Sequence, residues 1–506
     1  MRVALLWLAA ALISGFTIRR YLEPFDEGLV LQAARRVAEG QVPYADFSWA
    51  YGPAQPYLLG AAFDLLGASV LDWRILRVLS DAAVLLVVFV LVRREAPLPV
   101  ALIAWLTAAC AMAQPTSANA YAPALVFGLL AVAAVGQRRG AAPLAGLATG
   151  LAAAWRLDFA LYAAAGVTLG LALRPGGGER LRVLGVYAGW AVAVAALLHL
   201  PFLVASGPAG LYDALVGNSL RDGDYWRLPF PLSYDGGFRL WPPADLAEDA
   251  KDVLGFYVPL TLAAGLALVA VALAVRAWRE RRVPATWIAL AGFSAGCLLY
   301  LLSRTDDVHA TPLLVCLAAL LPLAAVWARA AGARALAAAL TVPLALLLAY
   351  GVLNRLSALF LPPDLQRVDV AVADGAKAPP TEARAIERMV RGVQARVPPD
   401  ERIYATTLRS DLVRINNPLI YVLAERDNVL DTDFDLLTSA TAQRRVVSEL
   451  RAAPPRVIVR WTDPVSVERE PNRRGLPSGS RLLDEYVASG YRLVERAGHY
   501  DILARR

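Results

Sequence analysis

Charged residues are scarce in this sequence. They make up 18% of the 506 positions, against 58% hydrophobic, where a soluble protein averages about a quarter charged. A wholly soluble chain is therefore excluded. Cysteine is nearly absent: Cys110, Cys297 and Cys316 all sit inside apolar runs, so neither a disulfide framework nor a zinc-ligand spacing follows. No Gly-rich phosphate loop can be found in 381–506, and no internal repeat in the chain. No small-residue cleavage pattern precedes Arg19, and the opening apolar stretch MRVALLWLAAALISGF is long. It is read as a retained first span rather than a removed signal peptide. The formal net charge of +7 raises the idea of nucleic acid. Its distribution argues against that, because the arginines cluster in short loops between apolar runs, as topology signals do.

What is present is a series of runs long enough to cross about 30 Å of hydrocarbon. They fall near 3–18, 79–93, 97–113, 120–136, 141–155, 158–173, 183–204, 255–275, 285–303, 308–327 and 335–356. The expectation is a polytopic α-helical membrane protein of about eleven transmembrane helices, forming a domain over 1–356. Arginines at 93–94, 138–139, 174–182, 276–282 and 329–334 mark one side as cytoplasmic. The opposite side takes the 19–78 loop, QPTSANA, WRLD, the 205–254 loop, SRTDDVH and the tail. In the first outer loop, 26–39 has helical amphipathic spacing, ended by Gly40, and a second apolar helix runs from 53 to 66 before Gly67. Both are too short to span and are placed in the membrane interface. The 205–254 loop is rich in aromatics, which suits a functional lid better than disorder. A Pro-rich linker at 357–380 leads to 381–506, where helical and strand-like patterns alternate as in a small extracytoplasmic α/β domain.

Sorting charges by side is the most informative step. Asp26 and Glu27, Arg156 and Asp158, and Arg304, Asp306, Asp307 and His309 all fall at outer helix ends. Ionised groups near hydrocarbon need partners or a function. Structural readings stand beside the chemical ones. Asp26 can cap the helix it begins, and Glu27 can favour that helix's N-terminus. Arg156 with Asp158 can pair across a tight turn, Arg304 with Asp306 or Asp307 can form a solvated pair, and His309 can be structural. Tyr225, Trp226 and Trp241 can stack on a sugar or anchor their loop in the interface. Asp26, Glu27, Asp306 and Asp307 could together supply oxygen ligands to a divalent cation, though the pattern does not demand one.

EPFDEG at 23–28, AEGQVPYADF, SWAYGPAQP, and Gly67 followed by Arg74 resemble the first outer loop of GT-C-fold glycosyltransferases. The pattern is similar to the protein O-mannosyltransferases, the lipid A aminoarabinose transferases and their bacterial relatives. SRTDDVHATP resembles their later Arg/Asp/His loop, and NNPLIYVLAERDNVLDTDFD their extracytoplasmic domain. Motifs that would assign the chain to the mannosyl or aminoarabinose branch are missing. The resemblance implies an enzyme of the cytoplasmic (inner) membrane with its site outside. It would transfer a sugar from a polyprenyl-phosphate donor to a glycan, lipid or protein acceptor, with no required cofactor and no nucleic acid. Asp26 would be the base, with Glu27 as its catalytic neighbour. Arg156, Arg304 and His309 would hold the donor phosphate, supported by Asp158, Asp306 and Asp307. A secondary transporter or flippase is the alternative, although such proteins place ionisable groups near the midplane, often in repeated halves. A non-catalytic protein that kept the fold is a third.

Overall fold

The computed structural model describes residues 2–112, 121–137, 140–174, 179–412, 416–434 and 436–506. Its helices are α1 (Arg2–Gly15), α2 (Asp26–Ala38), α3 (Ala54–Leu66), α4 (Val70–Arg93), α5 (Leu98–Met112), α6 (Tyr121–Val135), α7 (Ala141–Trp155) and α8 (Leu157–Ala172). Next come α9 (Arg180–Tyr212), α10 (Asn218–Trp226), α11 (Pro243–Phe256), α12 (Val258–Glu280), α13 (Ala285–Ser303), α14 (Asp307–Ala330) and α15 (Arg334–Phe360). Among the described residues, six helices are long and apolar enough to cross a membrane, and five shorter apolar ones fall where the other spans were expected. The chain is a multi-pass membrane protein.

Small residues let these helices approach closely, as van der Waals packing in lipid requires. Where α8 crosses α13, a Cβ on Gly166 would meet the Ala289 carbonyl at 2.3 Å. The arginine-bearing turns meet at one end. Arg94 donates to the Ala133 carbonyl, Arg174 to that of Gln137 and Arg279 to that of Ala331. Arg138, Arg139 and the QPTSANA stretch lie outside the described residues.

The other end carries the C-terminal domain, built from α16 (Pro380–Gln394), α17 (Leu419–Ala424), α18 (Ala440–Ala452), α19 (Leu482–Gly490) and a four-stranded sheet. Its strands are β3 (Tyr404–Thr407), β4 (Val457–Trp461), β5 (Tyr491–Ala497) and β6 (Tyr500–Arg505), after a small hairpin of β1 (Gln366–Arg367) and β2 (Lys377–Ala378). The order is β3-β4-β6-β5, with β3 and β4 parallel and the other pairs antiparallel. Both faces are covered, as the two-residue period of β4 dictates. Val457, Val459 and Trp461 join the cluster of α16 and α17, while Ile458 joins that of α18 and α19.

Three expectations need correction. The 357–380 stretch is not a bare linker: α15 runs to Phe360, and β1–β2 is tied to the membrane helices. Lys377 N–H donates to the Arg19 carbonyl at 2.7 Å, and Ser69 Oγ to Asp374 at 2.9 Å. Nor does α2 lie free in the interface. Val30, Leu31 and Ala34 share one core with Ile386, Leu419 and Ile420, and a Cβ on Gly28 would meet Leu419 N at 2.3 Å. Charged residues of α2 take part in the docking too: buried Arg36 pairs with Asp433 at 2.9 Å. Of α2 and α3, the latter keeps an apolar edge outward, at Leu65 and Leu66. Finally, 205–254 is largely helical, comprising the end of α9, a π-helical turn at Asp213–Gly217, α10 and α11.

Candidate functional site

Asp26 opens α2, yet its side chain caps nothing. That work falls to Glu23, whose carboxylate accepts from the backbone N–H of Glu27 at 2.7 Å and of Phe25 at 3.0 Å. Glu27 returns the bond, its Oε2 accepting from Glu23 N–H at 3.2 Å, as in a capping box. Asp26 is thereby left half-buried and, among the described residues, without a hydrogen bond. Its surroundings are charged. Burial pushes its carboxyl above the ordinary range; His309 pulls it back, Asp306 adds to the rise, and Arg156 and Arg304 lower it. Residues from two remote segments, the α7–α8 turn and the α13–α14 turn, therefore act on one carboxylate.

Glu27 is differently placed. Its oxygens lie 2.6 and 2.8 Å from Arg74 Nε and Nη2, both side chains being fully buried. Arg74 also donates to the carbonyls of Ile18 and Tyr21, each at 2.7 Å. The expected second catalytic carboxylate is thus a strut joining α2, α4 and the exit of α1.

Arg156 breaks what would otherwise be one long helix, its backbone extended between α7 and α8. The guanidinium grips Asp158 at 3.0 and 2.7 Å. It lies 5.0 Å from the ring centre of Tyr51 and 4.8 Å from that of Tyr300, with Nη1 donating to the Tyr300 hydroxyl at 3.3 Å. Tyr300 in turn packs its ring 4.4 Å from that of His309. Asp306 caps α14 by accepting from His309 N–H at 2.9 Å, and its Oδ1 also meets His309 Nδ1 at 2.6 Å. Its other oxygen takes Arg304 Nε at 2.7 Å. Burial works against ionisation of Asp306, but the bonds from His309 and the charge of Arg304 outweigh it and hold the carboxyl low.

Trp226 completes the surround. Its carbonyl accepts from Arg304 Nη1 at 3.2 Å, and its ring lies 5.8 Å from the Arg304 guanidinium. Phe434 bridges the Trp226 ring, at 5.8 Å, to that of Phe25, at 4.6 Å. Tyr225 packs beside Trp226. The remaining candidates lie elsewhere. Trp241 is 78% exposed. Asp307, one residue past the cap, lines a separate cleft with Cys110, Thr311, Tyr350 and Asn354, because successive helical residues point about 100° apart.

Among the described residues, no three His, Cys, Asp or Glu side chains form a cluster that could hold a metal ion. Of the four oxygen donors considered, Glu27 is spent on Arg74, Asp306 on His309 and Arg304, and Asp307 faces its own cleft. Four contributors escaped the sequence reading. Tyr51 stands inside SWAYGPAQP and Glu23 opens EPFDEG, so their motifs were visible without their roles. Tyr300 had the weaker signal of one helical turn's distance from Arg304. Glu470, which meets Arg304 Nη1 at 3.0 Å from the C-terminal domain, had none.

No protein-family model matches the chain, and no curated protein matches it. Solved structures do. The chain aligns with apo ArnT from Cupriavidus metallidurans at 16% identity and TM-score 0.53, covering 99% of this chain and 97% of that one. The oligosaccharyltransferase of Archaeoglobus fulgidus, in complex with Zn and sulfate, aligns at 14% identity and TM-score 0.53, covering 90% of this chain and 68% of that one. The apo form of that oligosaccharyltransferase aligns at 13% identity and TM-score 0.50, over 90% and 69%. The expected GT-C fold is thereby met over nearly the whole chain.

Proposed function

We propose that this chain is a membrane glycosyltransferase that moves a sugar from a polyprenyl-phosphate donor to a hydroxyl acceptor, a glycan, lipid or protein. The observation that carries the reading is the Asp26 carboxylate, unbonded among the described residues and facing Arg156, Arg304 and His309. As the acceptor oxygen bonds to the anomeric carbon, Asp26 takes the hydroxyl proton. The bond from that carbon to phosphate oxygen breaks, its electron pair leaving with the polyprenyl phosphate. One in-line displacement inverts the anomeric centre. General-base assistance of this kind contributes about 10²–10⁴-fold, and raised basicity suits Asp26 to it. Guanidinium groups match phosphate oxygens geometrically, so Arg304 and Arg156 receive the leaving group. His309, held by Asp306, stands beside them. Tyr225 and Trp226 offer the aromatic wall for a sugar or acceptor.

The similar structures fit this reading, one being an oligosaccharyltransferase in complex with Zn and sulfate, the latter a tetrahedral oxyanion. No step above is routed through a metal. The arginine-rich end is assigned to the cytoplasm, which puts Asp26 and the C-terminal domain outside the inner membrane. The test begins with lipids extracted from a strain lacking the protein, where a polyprenyl-phosphate sugar should accumulate. The purified protein should then consume that lipid and release free polyprenyl phosphate. A flippase moves such a lipid without cleaving it, so transport without release overturns the proposal.

A further inference from the structure

Glu470 belongs to the C-terminal domain yet is fully buried, while Pro471 and Asn472 beside it are exposed. Its carboxylate reaches Arg304. Asn472 and Arg473, just beyond it, grip the tip of α10. Asn472 Nδ2 points at the carbonyls of Asp224, Tyr225 and Arg227 at 3.2, 3.1 and 2.6 Å, and Arg473 lies 5.0 Å over the Tyr225 ring. Since α10 has no buried residue, it is held by polar and ring contacts rather than by a core. Segments fastened in this way are the ones that open locally.

Charge gives the fastening a meaning. Arg304 already serves two carboxylates, Asp306 and Glu470, so an incoming phosphate meets a guanidinium whose charge is outweighed. Asp306 cannot leave without uncapping α14. Glu470 can, because its segment continues into an exposed surface turn. We propose that Glu470 is an internal occupant of the phosphate-binding guanidinium, through which the C-terminal domain latches α10 over the site until the donor phosphate displaces it. This rests on the assignment of Arg304 to the donor phosphate. It gives the domain a role in admitting the donor, with no part in the chemistry.

The experiment measures binding of a synthetic polyprenyl phosphate to the full chain in nanodiscs. A latch closed nine-tenths of the time lowers apparent affinity about tenfold, so Glu470→Gln should bind about that much more tightly. Asn472→Ala, an exposed change, should move in the same direction by less, and it carries the test should Glu470→Gln not fold. Affinity unchanged or weakened in both variants overturns the latch. Arg304→Ala separates the two claims. Binding lost there while Glu470→Gln gains nothing removes the latch alone. Binding retained in Arg304→Ala removes the phosphate assignment, and the latch with it.

Discussion

Two arginine–carboxylate assemblies begin at neighbouring residues of α2 and end in opposite conditions. Around Arg74, Glu27 takes Nε and Nη2 while backbone carbonyls take what remains, and both side chains are wholly enclosed. Around Asp26 the donors converge without closing. Arg304 stays 16% exposed, and Asp26 itself has no bond among the described residues. A step of one residue turns the side chain by about 100°, sending Glu27 toward α4 and Asp26 toward the cluster. Saturated charges make scaffold. Charges with bonding capacity left over can meet a substrate, and the contrast can be broken by experiment.

The largest effect belongs to Asp26→Asn. Transfer should fall about 10²–10⁴-fold with the thermal midpoint unchanged, since the carboxylate gives up no bond. Full turnover in that variant removes the base assignment. Glu27→Ala should show the mirror image. Stripping one partner from a buried pair costs about 3–5 kcal/mol, visible as a much lower melting temperature in detergent. If melting is intact but transfer is lost, Glu27 has a chemical role and the contrast fails. Arg304→Ala comes next, removing about 1.5–3 kcal/mol of charged hydrogen bonding to the donor. It should raise the donor KM while leaving kcat less affected. A pure kcat loss instead places Arg304 at the transition state alone.

Much of this architecture was legible because it obeys two periods. Apolar runs and arginine-bearing turns marked the spans, and α2 and α3 emerged within a residue of their expected bounds. The docking of that domain was not legible. Arg36 looks solvated on a helical wheel, and partners nearly four hundred positions later, the Asp433 carboxylate and the Leu430 carbonyl, make it interior. The same limit hid Glu470. Local pattern reports which face of an element is apolar, whereas a long-range ion pair leaves no periodic trace. Asp26 was visible, and Glu27 beside it was indistinguishable until its partner was seen.

Acidity sharpens the comparison further. Burial, then the charge of Asp26, pushes the Glu23 carboxyl up to about 8 from an ordinary 4.5. Between those values the folded protein keeps a proton that the unfolded chain has lost, so stability declines as pH rises through that window. Glu23→Gln should flatten that part of the melting-temperature profile, although it retains a side chain able to cap. An unchanged slope assigns the pH dependence to other groups. Asp26 is also shifted upward, so the acid limb of transfer activity should lie above the ordinary carboxylate range in the wild type. A limb at the ordinary value contradicts a buried base.

The smallest expected effect concerns two tryptophans that the sequence could not rank. Trp226 stands against Arg304 and Phe434, and Trp241 is exposed at the far side of the 227–242 segment. Surface substitutions of the second kind usually stay within about 0.5 kcal/mol, so Trp241→Ala should leave melting and transfer as they were. Trp226→Ala removes a ring from the wall of the site and should raise the KM for donor or acceptor. Equal losses in the two variants would mean that 227–242 folds inward over the cluster once substrate is bound, and the open side of the comparison would then be a feature of the resting protein alone.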